Sequence, residues 1–129
     1  MSTYPEDLWY HTEDTWARLE PDGRVRVGIT DFAQDQLGEI EWVEFPDVGD
    51  DVRRGEPFGV IESAKAASDL HSPVDGTVVE SHEDLVRSLS SVNDDPYGSG
   101  WLVLVLPTSP PGDGLMDAAA YQAKVGDTE

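Results

Sequence analysis

Gly, Pro and Asp residues interrupt this chain at short intervals, and this punctuation is what most limits how it can fold. The segments between the breaks are too short for most helices and suit strands. Seven of them, rich in Val, Ile, Trp and Phe, are predicted strands: Trp16–Leu19, Arg24–Ile29, Ile40–Phe45, Pro57–Ile61, Ser68–His71, Gly76–Glu80 and Trp101–Leu106. The sequence therefore predicts a mainly β fold, and a turn at Pro21-Asp22-Gly23 that joins the first two strands into a hairpin.

Short helices are predicted at three places. Asp31–Leu37 opens with a residue that can cap a helix and stops at Gly38. Glu83–Leu89 is a second candidate. The third is a C-terminal helix from about Gly114 to Lys124, capped by Asp113. Its apolar stripe, which we expect to pack on the sheet, comprises Met116, Ala119, Ala120 and Ala123.

The charge balance excludes several classes of partner. The chain has 27 Asp and Glu against eight Lys and Arg, a net charge of −19 at pH 7. Nucleic acids and anionic membranes favour basic surfaces, so we expect neither as a partner. With no Cys there are no disulfides or thiolate metal sites. We expect one domain spanning residues 1–129, a monomer located in the cytoplasm.

Signatures of the common enzyme classes are missing from the sequence. No G-x-S-x-G, H-E-x-x-H, G-x-G-x-x-G or G-x-x-x-x-G-K-[ST] motif occurs. The three histidines, His11, His71 and His82, have no spacing that indicates a metal site. We therefore predict no catalytic residues, no metal and a chain that is not an enzyme.

One lysine stands apart from this background. Lys65 lies between two predicted strands in a turn of small residues, with Ala64 and Ala66 on either side, so its amine is open to another protein. A catalytic lysine needs a lowered pKa, whereas Glu62 and Asp69 favour the charged form. Lys65 is thus better suited to carry a covalent group that another enzyme attaches.

Several motifs resemble, in order, those of the glycine cleavage system H protein family. The likeness covers about residues 10 to 125, and its strongest segments are Val27–Gln34, Val43–Pro46, Glu62–Leu70, Ser72–Glu80 and Val92–Leu102. Two related families fit less well. Biotinyl carrier domains typically place the lysine between two Met, and lipoyl domains of 2-oxo acid dehydrogenases typically lack the Asn93–Trp101 loop and the terminal helix.

The resemblance implies a barrel-sandwich hybrid fold with short helices and a C-terminal helix. It implies that lipoic acid is attached to Lys65 as an amide, on a hairpin that includes Glu62, Ser63, Ser68 and Asp69. From Cα to the ring, such an arm would span on the order of 14 Å, from about eleven bonds of roughly 1.3 Å each.

The resemblance also implies a set of partners. In the family, the arm takes an aminomethyl group from a pyridoxal-phosphate-dependent glycine decarboxylase. It passes the group to a tetrahydrofolate-dependent aminomethyltransferase and is then reoxidised by dihydrolipoyl dehydrogenase. A lipoylating enzyme attaches the cofactor. The alternative for this chain is a lipoyl relay, or a divergent homologue without glycine cleavage flux.

The chain departs from the family pattern near its N-terminus. A His-Glu pair usually precedes the first Trp, whereas Asp14 and Thr15 precede Trp16 here. The family Glu is thought to help hold the loaded arm in a surface cleft. Since Thr15 has no carboxylate, we expect Asp69, Glu13 or Asp14 to supply it.

Overall fold

Antiparallel pairing organises the chain into two sheets flanked by short helices. The computed structural model describes residues 4–108, 111–112 and 114–126. The strands in this part are β1 (Trp9–Tyr10), β2 (Thr15–Leu19), β3 (Val25–Ile29), β4 (Ile40–Glu44), β5 (Asp51–Val52), β6 (Pro57–Ser63), β7 (Ala67–His71), β8 (Gly76–Ser81) and β9 (Val103–Pro107). The helices are α1 (Asp31–Leu37), α2 (Ser90–Asp94), α3 (Ala118–Lys124) and a 3₁₀-helix at Glu83–Arg87, where the second short helix was predicted.

A larger and a smaller sheet divide the strands. One has six strands in the order β1-β2-β3-β9-β8-β5, and the other has three in the order β4-β6-β7. The predicted first hairpin is confirmed, because β2 pairs with β3 from Thr15 opposite Ile29 to Leu19 opposite Val25. All seven predicted strands are present with ends within two residues of the prediction. The predicted mainly β class with short helices is confirmed.

Apolar side chains bury themselves in three clusters. The largest lies between the three-stranded sheet and α1, and includes Leu37, Ile40, Ile61 and Leu70. A second, rich in Val, lies within the six-stranded sheet. A third surrounds Trp16 and joins the N-terminal segment to α3. The first cluster fixes the three-stranded sheet, and with it the hairpin that carries Lys65, against α1.

The first helix begins as predicted but is capped by a different residue. Thr30, not Asp31, is the N-cap, and its Oγ1 accepts a hydrogen bond from the backbone N–H of Ala33 at 3.2 Å. Asp31 instead accepts from the side-chain amide of Gln34 at 2.6 Å. Thr30 has the extended backbone that a cap requires, whereas Asp31 is already helical.

The C-terminal helix starts later than the prediction of about 114–124. It begins at Ala118 and is capped by Asp117, whose Oδ1 accepts from the N–H of Ala120 at 2.8 Å; the predicted cap, Asp113, lies outside the described residues. Met116 is extended and forms a β-bridge with Tyr10.

The later start also changes the buried face of α3. The buried residues are Ala118 and Tyr121, so the predicted stripe through Ala119, Ala120 and Ala123 is wrong. The bridge at Met116 takes that residue out of the helical repeat, and the large Tyr121 ring sets which side faces the core.

No helix in the described part of the chain is long and apolar enough to cross a membrane.

Trp16 packs so closely on Gly28 that a side chain added at Gly28 should clash with the indole. A Cβ added at Gly28 would lie 2.6–2.8 Å from the indole of Trp16, which is fully buried and donates to the carbonyl of Pro96 at 3.0 Å. We expect Gly28→Ala to lower the free energy of unfolding by about 1–3 kcal/mol, measured by urea denaturation. In a Trp16→Phe background the added loss should shrink, because the smaller ring lacks the clashing atoms.

The control is Gly23→Ala, at a turn with φ +90° and no atom within 4 Å of the added Cβ. Its cost, about 1–2 kcal/mol for a left-handed alanine, should be the same in the parent and in the Trp16→Phe background. The steric explanation would be contradicted if Trp16→Phe changed the stability loss of Gly28→Ala and that of Gly23→Ala by the same amount.

Candidate functional site

Lys65 lies at the tip of the β6–β7 hairpin, where the sequence predicted it. The strands pair from Pro57 opposite His71 to Glu62 opposite Ala67, and the backbone N–H of Ser63 donates to the carbonyl of Ala66 at 2.8 Å. The connection is therefore the three residues 64–66, which are all exposed. A short loop closed by a backbone hydrogen bond orders the backbone around the lysine, which is itself exposed.

The hydroxyl of Ser63 further orders this loop. Its Oγ accepts from the N–H groups of Lys65 at 3.3 Å and Ala66 at 3.2 Å, and lies 3.3 Å from the carbonyl of Ala66, to which it donates. Such side-chain bonds to the backbone satisfy turn donors that have no partner in the strand ladder. Ser63 thus positions the loop, a role that its place in the sequence did not reveal.

The end of α1 lies directly beside the lysine. Gly38 has φ 78° and ψ −156°, a conformation that favours glycine. A Cβ on Gly38 would lie 3.2 Å from Cε of Lys65. Glycine therefore both ends the helix and leaves room for the lysine side chain. No local sequence pattern reveals this contact, because the two residues are far apart in the chain.

The side chain of Asn93 hydrogen-bonds to the residues on both sides of the turn between α1 and β4. Its Nδ2 donates to the carbonyl of Gly38 at 2.8 Å and to Oε1 of Gln34 at 3.0 Å, and its Oδ1 accepts from the N–H of Ile40 at 3.0 Å. One side chain in α2 thereby joins the end of α1 to the start of β4.

A cleft opens next to the hairpin on the side covered by α1. Its volume is about 130 Å³. The apolar wall consists of Ile29, Ala33, Leu37, Ile61 and Leu70, and the polar rim consists of Glu13, Asp14, Thr15, Gln36, Ser68 and Asp69. Of the four predicted hairpin residues around Lys65, Ser68 and Asp69 therefore line the cleft, while Glu62 and Ser63 do not.

Asp14 is held at the rim by both backbone and side chain. It has a left-handed backbone, φ 73°, and its carbonyl accepts from the N–H of Thr30 at 3.0 Å. Its Oδ1 accepts from the hydroxyl of Tyr121 at 2.8 Å, and that hydroxyl also lies 2.7 Å from Oγ1 of Thr30. Burial raises the pKa of Asp14 above its ordinary value, although the Tyr121 hydrogen bond and Lys124 oppose this.

Thr15, at the position where the resemblance led us to expect a Glu, has a structural role. It is buried, and its Oγ1 donates to the carbonyl of His71 at 2.8 Å, which ties β2 to the end of β7. Three carboxylates line the cleft together with Thr15, those of its sequence neighbours Glu13 and Asp14 and that of Asp69.

The three histidines do not converge on a metal site. Among the residues that the structure describes, no group of three His, Cys, Asp or Glu side chains is placed to hold a metal ion. His11 is buried and its Nδ1 accepts from the N–H of Glu13 at 3.0 Å, and burial lowers its pKa. His82 stacks on Trp101 with ring centroids 4.1 Å apart.

Comparison with known proteins identifies relatives along nearly the whole chain. A family model described as Glycine cleavage H-protein matches residues 8–128. The glycine cleavage system H protein of Anaeromyxobacter sp. (strain K) is 50% identical over 126 residues, which cover 97% of this chain and 98% of that protein. The one from Marinobacter nauticus is 48% identical over 130 residues and covers both chains completely. The crystal structure of a glycine cleavage system H protein from Mycobacterium marinum superposes with a TM-score of 0.87 at 38% identity, covering 95% of this chain and 98% of that one.

An exposed lysine at the tip of a hairpin beside a cleft suits a carrier protein, which offers a side chain for other enzymes to act on. With these matches, the chain belongs to the glycine cleavage system H protein family. It is a lipoyl carrier and a non-catalytic component of glycine cleavage.

The buried environment of Asp14 predicts a pH-dependent cost in stability. Well below pH 3.8, the ordinary pKa of an Asp, the carboxyl is protonated in both the folded and unfolded states. Above that pH the unfolded chain loses the proton first, so this group lowers the free energy of unfolding as pH rises, until the folded carboxyl also ionises. Asp14→Asn keeps an acceptor for Tyr121 and tolerates the left-handed backbone, so its stability gain over the parent should grow from pH 4 towards pH 7.

The measurement is urea denaturation of both proteins across this pH range. Asp35→Asn, which removes an exposed carboxylate on α1, controls for the loss of one negative charge. A difference between Asp14→Asn and the parent that stays constant with pH would contradict the assignment.

Proposed function

We propose that lipoic acid is attached to Nζ of Lys65 and that the chain works as a single carrier domain for the aminomethyl group in glycine cleavage. The observation that carries this proposal is an exposed lysine on an ordered three-residue tip, with an alanine on either side of it in the sequence. Attachment forms an amide between Nζ and the lipoyl carboxyl carbon, which removes the lysine charge. The attached group supplies a disulfide that accepts and releases small groups.

The residues around Lys65 fit such an arm. Ala64, Ala66 and Ala67 leave the tip free of bulky side chains, so an enzyme can close around the amine. Ser63 keeps the loop in one conformation, and Gly38 leaves room beside the lysine methylenes. Glu62, one pair down the hairpin and exposed, belongs to the surface that the lipoylating enzyme meets.

We assign the cleft as the resting place of the arm. Its apolar wall suits a hydrocarbon chain, and the rim opposes a positively charged amine with carboxylates from Asp14, Asp69 and Glu13. Ser68 adds a hydroxyl at the rim. In this assignment Asp14 replaces the family Glu, because Tyr121 and Thr30 fix its carboxylate and backbone at the cleft.

Four enzymes follow from this role as partners: the glycine decarboxylase, the aminomethyltransferase, dihydrolipoyl dehydrogenase and the lipoylating enzyme. Membership of the glycine cleavage system supports the first three. We propose the cytoplasm as the place where they meet, in keeping with the bacterial source of the relatives. An attached intermediate benefits from a high effective concentration at each partner.

Lys65→Arg tests the attachment site. Protein purified from cells supplied with lipoate should gain the mass of one lipoyl group, and peptide mapping should place it on Lys65. Lys65→Arg should show no gain, whereas Lys124→Arg, which alters the lysine of α3, should be modified like the parent. A bare Lys65 alongside a control substrate that is lipoylated in the same cells would overturn the proposal. Modification without loading from glycine by the decarboxylase would favour the relay alternative.

Ser63→Ala tests whether loop order matters for attachment. Without the hydroxyl, the N–H groups of Lys65 and Ala66 lose their acceptor and the tip samples more conformations. We expect the lipoylation rate, followed by intact mass, to fall several-fold, since each such hydrogen bond contributes about 0.5–1.5 kcal/mol. Ser68→Ala, on the neighbouring strand, is the matched control and should be lipoylated at the parent rate. Equal rates for all three proteins would show that Ser63 does not position the loop for the enzyme.

A further inference from the structure

The three-stranded sheet has one covered and one uncovered face. On the covered face Ile40, Val43, Ile61 and Leu70 are buried in the cluster that α1 completes. We call the opposite side the outer face. The strand register shows which residues share it. One row consists of Trp42, Glu62 and Ala67, and the next consists of Glu44, Val60 and Asp69. Every residue of these two rows except Val60 is exposed. The uncovered sheet thus begins two residues from Lys65, at Ala67.

Trp42 is the large apolar group on this face. A bulge between Ile40 and Trp42 turns the side chain away from the core, and it is 50% exposed. Exposed tryptophans are costly to leave in water and are enriched at the centres of protein interfaces. Its place beside Glu62, the residue three before Lys65, puts it on the surface from which the hairpin projects.

Carboxylates share the outer face with this tryptophan. Glu44 and Glu62 are exposed, and Asp69, on the edge strand β7, borders both this face and the cleft. In the described part of the chain the ion pairs lie elsewhere, in the first hairpin. Exposed acids at this density repel one another and favour a partner that brings positive charge. An arginine fits both features, because its guanidinium stacks on an indole and pairs with a carboxylate.

The distance from which each partner enzyme can act on Lys65 indicates which of them docks on the outer face. Enzymes that use the attached arm meet it on the order of 14 Å from the Lys65 Cα. The lipoylating enzyme has no such arm and must bring its active site to Nζ itself, so it has to contact the surface next to the hairpin. Since α1 covers one side of the sheet, the outer face is the broad surface available for that contact.

We propose that the outer face, anchored by Trp42 and flanked by Glu44, docks a basic, arginine-bearing surface of the lipoylating enzyme. This inference rests on the proposed attachment at Lys65 and extends it to the exposed sheet face next to the hairpin, including the adjacent strand β4. The aminomethyl-handling enzymes are the other occupants that the test distinguishes.

Rates of lipoylation of the unmodified protein, with purified lipoylating enzyme, test the anchor. We expect Trp42→Ala to lower kcat/KM about tenfold, the effect of losing an interface residue worth roughly 1.4 kcal/mol. Glu44→Gln should lower it about two- to threefold, and this loss should disappear at high salt. The matched controls are Trp9→Ala, a 37% exposed tryptophan at the edge of the other sheet, and Glu80→Gln, an exposed acid on β8.

Direct binding gives a second readout that needs no modification. In the Lys65→Arg background, Trp42→Ala should raise the Kd for the lipoylating enzyme by the same factor. The free energy of unfolding of the Trp42→Ala protein, measured by urea denaturation, should equal that of the Trp9→Ala protein. Wild-type rates and affinities for Trp42→Ala would overturn the inference, and so would an effect confined to the decarboxylase or aminomethyltransferase reactions. A parent protein that is not lipoylated at all would instead overturn the proposed attachment, which keeps the two failures distinct.

Discussion

The side-chain amide of Asn93 is the interaction on which the geometry of the site depends. Its three hydrogen bonds reach the carbonyl of Gly38, the side chain of Gln34 and the N–H of Ile40. They satisfy backbone groups that the end of α1 and the bulged start of β4 leave without partners in the helix and the sheet. Strand β4 pairs with β6, and Gly38 lies against Lys65. A displacement of Asn93 would therefore shift both the strand that supports the hairpin and the residue that contacts the lysine.

A second set of hydrogen bonds fixes the position of the Asp14 carboxylate, although burial of this group lowers the stability of the fold. Tyr121 and Thr30 hold Asp14 in a left-handed turn where burial disfavours its charge. Without these hydrogen bonds the carboxylate would turn towards water, where its charged form is favoured. A positive backbone angle and a raised pKa are features that cluster at functional sites, and they support the proposed role of Asp14 at the cleft. The C-terminal helix, far from Lys65 in the sequence, thus contributes to the rim through Tyr121.

Sequence alone predicted those parts of the fold that local patterns specify. Seven strands, the first hairpin, α1 and the exposed Lys65 follow from alternation, turn residues and small neighbours. Strands β1 and β5 have two residues each, too few for any alternation to show, and α2 lies in what reads as a loop. The start of α3 was misplaced because the bridge of Met116 to Tyr10 is a contact over more than a hundred residues. The roles of Gly38 and Tyr121 depend on such distant contacts too, so no local pattern carries them.

The two sides of the hairpin have different physical properties, and this separation bears on how a carrier works. One side is a narrow cleft with an apolar wall, of a size for a flexible chain but too small for a protein surface. The other is a broad, acidic and uncovered sheet with an exposed Trp42, of a shape that suits a protein surface. Because strands β6 and β7 present alternate side chains to each, a substitution such as one at Glu62 can alter the outer face while Ile61, its neighbour, keeps the cleft. Strand alternation therefore separates the proposed arm site from the proposed docking face along most of the hairpin, and Asp69 is the residue that borders both.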